Sequence, residues 1–594
     1  MNELHGINEL RACELFKSLG EDDLFQLYHA TSKIQIKTGD YLLRQGADSD
    51  CLYVLVSGRL MALAENTGQK YYVSRGETVG EMGLISQTPR SSSVIALRDS
   101  VLLKLDQSNF NILWAKKPTV LFEISKTITK RLQLAISSKG THRSNMVFLS
   151  ADSDVNASDF LDRLGEFLES HPNCRIVRRT DFEAQISSEQ LSAQLRKLEF
   201  DFEHLLYQVD CDDAVWKNVC LDFADNIVVL TRGRGVPKFP EYIKQVLSNF
   251  SIHREINKTL VFVYEGNINP SNTKSWVESF DFSKHHHVSV SHSEDIRRLL
   301  RILTGTAVGL VLGGGGTRAW AQIGVIKYIF EEKIPIDAYV GTSAGALNAA
   351  VLSVARDFQD YIEISERISS VTNFTEYTIP YASLLSSRSI TTALKDIFGE
   401  RQIEELPKFL CCVAADLIRA QEVNITSGPV WLGVRASISI PGVYPPVPVL
   451  NQLLVDGGVV NNLPVDVMRD YFGYYGKVIA IDISASNNDI PEYEYPLELT
   501  WFNILKFLLF QRSAKKIRMP AIGETFLRGM LLASDQRVQA NKKLCDIYIR
   551  PDLKKFGMLD LTKKLELEAI GYQEGQKELS KWRVKMDMES VVSG

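Results

Sequence analysis

Ala338-Tyr-Val-Gly-Thr-Ser-Ala-Gly-Ala-Leu-Asn-Ala-Ala350 reads as a short apolar strand, a sharp turn and a helix of small residues. Ser343 stands at the turn between Gly341 and Gly345, in the pattern G-x-S-x-G. The glycines let the backbone turn without Cβ clashes, so the serine hydroxyl is thrust out at the top of a sheet. The helix begins at that serine, and its N-terminal dipole favours negative charge developing there. Alone, the pattern also suits a tight strand-to-helix turn that does no chemistry.

Two other stretches bear on that choice. Gly309-Leu-Val-Leu-Gly-Gly-Gly-Gly-Thr-Arg318 is an apolar strand running into four glycines and an arginine, and Leu454-Val-Asp-Gly-Gly458 ends another strand with an acid and two glycines. The spacing predicts that the serine, the glycine loop and the carboxylate all lie at the carboxyl ends of parallel strands, where open α/β sheets place their sites. A glycine run offers backbone N–H groups with no side chains in the way, which an oxyanion hole needs. The chain has ten histidines and none lies after His292, so the segment holding Ser343 and Asp456 contains no imidazole. A Ser-His-Asp triad is excluded unless an upstream domain reaches in. What remains is a serine activated directly by a carboxylate, with Asp456 taking its proton.

The ordered set of Gly313–Arg318 (G-G-G-G-x-R), Gly341–Gly345 (G-T-S-A-G) and Asp456–Gly458 (D-G-G) resembles the patatin-like phospholipases, which use a Ser-Asp dyad. Val434-Arg-Ala-Ser-Ile-Ser-Ile-Pro-Gly442 and Asp456-Gly-Gly-Val-Val-Asn-Asn-Leu-Pro464 are similar to the neuropathy target esterase branch. The resemblance implies a patatin-like α/β hydrolase domain acting on a phospholipid or lysophospholipid. Ser343 would be its nucleophile and Asp456 its base, with Gly314, Gly315, Gly316 and Arg318 around the oxyanion. The sequence departs at Ala319 and Gln322, where related chains commonly carry glycine and histidine. Gln322 argues that the histidine is not essential to the chemistry.

At 594 residues the chain predicts about three or four domains. A net charge of −5 gives no bulk basic character, so nucleic acid is not an expected partner. Eight cysteines without C-x-x-C spacing read as free thiols in a reducing compartment. No signal peptide is visible, and no apolar run approaches the roughly 20 residues that span a bilayer. The expectation is a cytoplasmic protein with peripheral contact to a membrane.

From Leu15 to Phe110, short alternating runs separated by glycine turns predict a small β-barrel, followed by helical segments at 107–114 and 118–137. Within it, Val79-Gly-Glu-Met-Gly-Leu-Ile-Ser-Gln-Thr-Pro-Arg-Ser-Ser92 resembles the phosphate-binding cassette of cyclic nucleotide-binding domains. A glycine-led turn of N–H groups beside one arginine suits a single phosphate. On that resemblance Gly80, Glu81, Arg90 and Ser91 form the site, with Glu81 on the ribose hydroxyl and Arg90 on the cyclic phosphate. The ligand would be cAMP or cGMP; the alternative is a docking module without ligand.

The polar stretch 137–144 reads as a linker. Alternating strands and helices then predict a small α/β connector, with no glycine loop of phosphate-binding spacing. His285-His-His287 lacks an acid or cysteine at ligand spacing, so no metal site is expected. The expected organisation is multidomain α/β: 1–137 cyclic nucleotide-binding-like, 145–300 connector, 305–594 catalytic with a C-terminal extension.

Gly314–Ala319 also fits the looser dinucleotide fingerprint, but the second strand ends in Gly341-Thr-Ser343 where that fold wants an acid. Arg388 and Arg435 each stand near hydroxyls and are candidates for a lipid phosphate or for structural roles. Asp416 and Asp466 are rival carboxylates not followed by paired glycines. The aromatic, apolar run from Leu497 to Arg512 suits a core helix, a homo-oligomer interface or a bilayer interface. Two functions follow: a serine lipid acyl hydrolase regulated by a cyclic nucleotide, or a cyclic-nucleotide-responsive scaffold with an inactive hydrolase-like domain.

Overall fold

The alternating N-terminal runs pair into one antiparallel sheet of six strands in the computed structural model. Its strands are β1 (Thr31–Ile36), β2 (Tyr41–Leu43), β3 (Cys51–Ala64), β4 (Gln69–Val73), β5 (Thr78–Val79) and β6 (Ser93–Asp106). The order is β1-β6-β3-β4, with β2 on β6 and β5 on β3. Alternation along β3 and β6 sends Leu52, Val54, Leu103 and Leu105 into one buried cluster and Tyr53, Leu55 and Leu102 into another. The structure describes residues 7, 10, 11, 13, 16, 20–64, 69–73, 75–81, 88–109, 144–209, 213–253, 256–371, 376–449, 451–473, 476–484, 498–502, 504–505, 522–557 and 561–593. The expected linker lies outside these residues apart from Ser144, as do the centre of the cassette (82–87), most of the two helical segments after the sheet, and the greater part of the run 497–512.

A second sheet is wholly parallel, in the order β12-β11-β10-β7-β9-β8. Its strands are β7 (Ser144–Ser150), β8 (Cys174–Val177), β9 (His204–Gln208), β10 (Asn226–Thr231), β11 (Asn257–Tyr264) and β12 (Lys284–Ser289). Helices cover both faces, so strands such as Ile227-Val-Val-Leu230 are apolar at every position. The three histidines occupy β12 and alternate across it. His287 stacks on Phe262 and bonds the Tyr264 hydroxyl at 2.9 Å, whereas His286 turns to the opposite face and is buried. Both sheets belong to one compact unit, Met1–Gly305. Two ion pairs join them: a buried one in which Arg98 on β6 donates to Glu199 at 2.6 Å, and a half-buried one in which Arg59 on β3 lies 3.1 Å from Asp225.

The second unit, Thr306–Gly594, is built on an eight-stranded sheet. Its strands are β13 (Val308–Leu312), β14 (Ala338–Thr342), β15 (Phe409–Asp416), β16 (Gln421–Ile425), β17 (Val447–Val449), β18 (Gln452–Asp456), β19 (Lys477–Ile481) and β20 (Ile547–Ile549). The order is β17-β18-β15-β14-β13-β19-β20, with β16 on β15. Strands β15, β14, β13, β19 and β20 are parallel, and β13 and β14 are buried at every residue. The helices that matter to the site are α1 (Ala319–Glu331), α2 (Ala344–Val354), α3 (Arg388–Phe398) and α4 (Val430–Ser437).

One expectation needs correction here. The glycine loop and Ser343 follow parallel strands, but β18 runs antiparallel to β15. The tight β17–β18 hairpin reverses the chain, so Asp456 arrives from the opposite direction and pairs with Ala414. Thr342 pairs with Val413 on the other side of β15. Serine and acid therefore flank the same central strand at nearly the same level.

Candidate active site

Close packing of the strand-to-helix turn exposes Ser343. A Cβ on Gly345 would sit 2.1 Å from the Leu312 carbonyl oxygen, and one on Gly341 would sit 2.5 Å from Gly345. Only glycine lets α2 start so close to β13 and β14. The turn forces Ser343 to φ +55° and ψ −126°, which costs a non-glycine residue about 1–3 kcal/mol. Its N–H donates to Ser437 Oγ at 3.0 Å, and Ser437 in turn donates to the Val413 carbonyl at 2.5 Å. Those bonds lock the backbone and leave the hydroxyl to point elsewhere.

The hydroxyl donates to Asp456 Oδ2 at 2.6 Å. The other oxygen, Oδ1, accepts the Gly458 N–H at 2.7 Å, and the Asp456 N–H is held by the Ser439 carbonyl at 2.9 Å. Asp456 is 5% exposed and Ser343 8%. Burial pushes the Asp456 carboxyl up to about 6, against the hydrogen bonds from Ser343 and Gly458 that pull it down. A carboxylate so raised accepts a proton more readily at neutral pH than an ordinary aspartate does. The unit carrying both side chains, Thr306–Gly594, contains no histidine.

The glycine loop passes directly over the serine: a Cβ on Gly314 would stand 3.0 Å from Ser343 Cβ. The structure changes two of the oxyanion assignments. The Gly314 N–H already donates to the Asn462 carbonyl at 3.0 Å, while Asn462 Nδ2 donates back to the Gly314 carbonyl at 3.1 Å. Gly314 is thus an anchor of the loop. Arg318 turns away, its Nε and Nη2 donating to the Phe556 carbonyl at 3.0 and 2.7 Å. Among the described residues, the N–H groups of Gly315 and Gly316 find no acceptor, nor does that of Ala344, the residue after the serine. A developing oxyanion needs donors of this kind.

Sequence reasoning missed the supports. Gln322, on α1 and fully buried, donates to the Gly313 carbonyl at 2.7 Å and accepts from Asn348 on α2 at 2.9 Å. It couples the glycine loop to the serine's helix, and its departure from the common histidine was the only signal. Ser437, Ser439 and Asn462 lay inside the motifs without an assigned role. The rival carboxylates are already engaged. Asp416 accepts from the N–H groups of Ile418 and Leu453 and from Arg419, and Asp466 accepts from Arg537, Asn461 and Asn541.

In the N-terminal sheet, Gly80 adopts φ +88° and Arg90 packs beneath it. Arg90 is 4% exposed and donates to the carbonyls of Gly80 and Cys51 at 2.9 and 2.8 Å, with Asp50 at 3.5 Å. Glu81 is also buried, whereas Ser91 is exposed and faces Ser92. No group of three or more His, Cys, Asp or Glu side chains among the described residues could hold a metal ion.

Comparison with known proteins gives three family matches: patatin-like phospholipase over 310–469, cyclic nucleotide-binding domain over 33–117, and neuropathy target esterase family P-loop like domain over 161–307. The last covers most of the parallel sheet expected as a connector. Patatin-like phospholipase domain-containing protein 7 of Rattus norvegicus is 27% identical over 94% of this chain and 46% of its own length. Neuropathy target esterase sws of Drosophila melanogaster is 28% identical over 93% and 43%, and lysophospholipase NTE1 of Chaetomium globosum is 26% identical over 93% and 42%. The chain thus spans less than half the length of these relatives. The chain is thus similar to the neuropathy target esterases and patatin-like phospholipases, with the cyclic nucleotide-binding match on the N-terminal side of the patatin-like match.

Proposed function

We propose that the chain is a serine hydrolase of carboxylic esters in phospholipids or lysophospholipids, with Ser343 and Asp456 as its catalytic dyad. The observation that carries this reading is the 2.6 Å hydrogen bond from the Ser343 hydroxyl to a buried carboxylate. Ser343 Oγ attacks the ester carbonyl carbon as its proton passes to Asp456 Oδ2. The tetrahedral oxyanion is held by the N–H groups of Gly315, Gly316 and Ala344. Collapse breaks the bond to the glycerol oxygen, which leaves with the proton from Asp456. Water then attacks the acyl-enzyme, gives its proton to Asp456, and the released serine recovers it.

The printed names of the relatives, patatin-like phospholipase domain-containing protein and lysophospholipase, support the substrate class. Access to lipid is assigned to peripheral contact; among the described residues no helix is long and apolar enough to cross a membrane. The domain boundaries stay at 1–137, 145–300 and 305–594, and the first domain is a cyclic-nucleotide regulator using Gly80, Glu81, Arg90 and Ser91.

Hydrolysis of a short-chain ester by Ser343→Ala and Asp456→Asn tests the dyad, and full activity in either variant rules it out. A fluorophosphonate probe should label Ser343 covalently; absence of label points to the scaffold reading instead. Titration with cAMP and cGMP should change the rate, and no binding with no change of rate removes the regulatory half.

A further inference from the structure

Outside the dyad, the second unit carries a cavity of about 570 Å³ at the start of α3. Arg388, Lys395, Thr391, Thr392, Ser387 and Thr378 contribute cations and hydroxyls to its wall, and no carboxylate lines it. Neither Arg388 nor Lys395 has an acidic partner among the described residues; Lys395 rests instead over the Trp431 ring at 4.5 Å. Glu376, on the approach to the loop, is taken by the Ser389 hydroxyl and N–H and does not face the cavity.

A third cation stands behind the wall. Arg435 on α4 is 4% exposed, with no carboxylate partner among the described residues. Its Nε donates to Thr391 Oγ1 and its Nη2 to the Pro445 carbonyl, both at 3.2 Å, and both residues line the cavity. Its Nη1 reaches Ser439, whose carbonyl holds the Asp456 N–H at 2.9 Å. A buried cation without a counter-ion is costly unless one is supplied from outside. The cavity wall and the dyad acid are therefore braced by the same guanidinium.

The rim is apolar and projects outward. Ile379 is 84% exposed and Tyr381 98%, with Tyr377 and Leu384 also largely exposed. The loop bearing them is tied down by Leu384 and Leu385 N–H groups donating to the carbonyls of Gly442 and Val443. Protruding aromatic and aliphatic side chains beside a cationic pocket match the boundary of a phospholipid layer, where acyl chains meet phosphates.

We propose that this cavity binds the phosphodiester of a phospholipid, through Arg388 and Lys395 with the Thr391 and Thr392 hydroxyls, while Tyr377, Ile379, Tyr381 and Leu384 enter the apolar layer. The inference rests on the reading of Ser343 as a lipid esterase nucleophile, and it adds to that reading a site for the head-group phosphate. The phosphate belongs either to the substrate being cleaved or to its neighbours in the bilayer.

The test uses the full chain and the double charge reversal Arg388→Glu/Lys395→Glu, with Arg388→Lys/Lys395→Arg as the control for folding. The first measurement is the ratio of kcat/KM for dispersed lysophosphatidylcholine to that for a monoacylglycerol of the same acyl chain. The second is cosedimentation with phosphatidylcholine/phosphatidylglycerol vesicles, in a Ser343→Ala background so that nothing is turned over. Charge reversal should lower the ratio, the vesicle binding, or both, by about tenfold or more, and the conservative pair should not. A fall in the ratio assigns the phosphate to the substrate; a fall in vesicle binding alone assigns it to the bilayer. If neither measurement moves, the proposal is overturned. If the unaltered protein hydrolyses neither ester, the dyad reading fails, and the vesicle arm still decides on the cavity.

Discussion

The turn at Ser343 and the turn at Gly80 are built alike and end differently. Each is glycine-led, but the first meets a side chain from far along the chain and the second one from ten residues on. At Ser343 the backbone is held in a strained conformation and the hydroxyl is spent on Asp456, 113 residues away. At Gly80 the positive φ falls on a glycine that bears it at no cost, and Arg90 donates through its two terminal nitrogens to backbone carbonyls while its buried Nε has no partner among the described residues. One site holds strain in its backbone, whereas the other ties its arginine to its own carbonyls. Strain and a raised carboxyl mark a site organised for reaction, and an arginine whose terminal nitrogens are held by backbone carbonyls marks one that must exchange those partners before it binds a phosphate through them.

The largest effect should come from Asp456→Asn, which keeps the acceptor for the Gly458 N–H and removes the base. Ester hydrolysis should fall by about 10³–10⁴-fold, measured as kcat/KM. Stability should move the other way. Folding raises this carboxyl to about 6 from its ordinary value of 3.8, so the folded state holds the proton more tightly than the unfolded chain. The associated stability is fully present below pH 4 and is lost as pH rises through 6, amounting to about 2–3 kcal/mol by pH 8. Asn does not titrate, so the variant should melt above the wild type at pH 8 and lose that advantage below pH 4. An equal loss of stability at every pH would mean that Asp456 is chiefly structural.

The same titration shapes the activity of the unaltered protein. Asp456 must be ionised to accept the serine proton, so log kcat/KM on a neutral ester should drop by about one unit for each pH unit below 6. The profile should level off above 7, with no second limb from a histidine between 5 and 8. An inflection that survives in Asp456→Asn at the same pH would assign the titration to another group.

Removing a support should cost less than removing the base. Gln322→Ala deletes the bond to the Gly313 carbonyl and the acceptor for Asn348, loosening the oxyanion loop against α2. A fall of about tenfold to a hundredfold in kcat, with little change in KM, is expected of a positioning residue. Gln322→His, the residue that the resemblance leads one to expect there, should retain most of the rate. A loss confined to KM would place Gln322 on the substrate path instead.

These differences also show what the residue order could and could not reveal. The glycine pattern around Ser343 was legible because close backbone approach tolerates nothing larger, and the want of histidine pointed to a lone acid. The direction of β18 was not legible: Leu454-Val-Asp456 reads the same in a parallel or an antiparallel strand, and only the hairpin with β17 decides it. The free donors were also hidden, because four successive glycines look equivalent until Asn462 takes the N–H of one of them. Ser437 and Gln322 act through single hydrogen bonds set by packing, which leave no periodic trace. Arg388 and Arg435 looked alike beside their hydroxyls; burial separates them, one to the cavity wall and one behind it.

The smallest effect should come from the turn at Gly80. Arg90→Ala leaves the carbonyls of Gly80 and Cys51 without these donors in a buried position, and should lower stability by about 1–3 kcal/mol. Without ligand, the esterase rate of the folded protein should be nearly unchanged, since Arg90 is tied only to its own sheet. Added cAMP or cGMP sharpens the contrast. A phosphate must draw the guanidinium from these carbonyls, so binding should raise the melting temperature of the wild type and leave that of Arg90→Ala where it was. If both proteins gain the same thermal shift, the nucleotide is held without Arg90, and the resemblance of this turn to a phosphate cassette is one of shape alone.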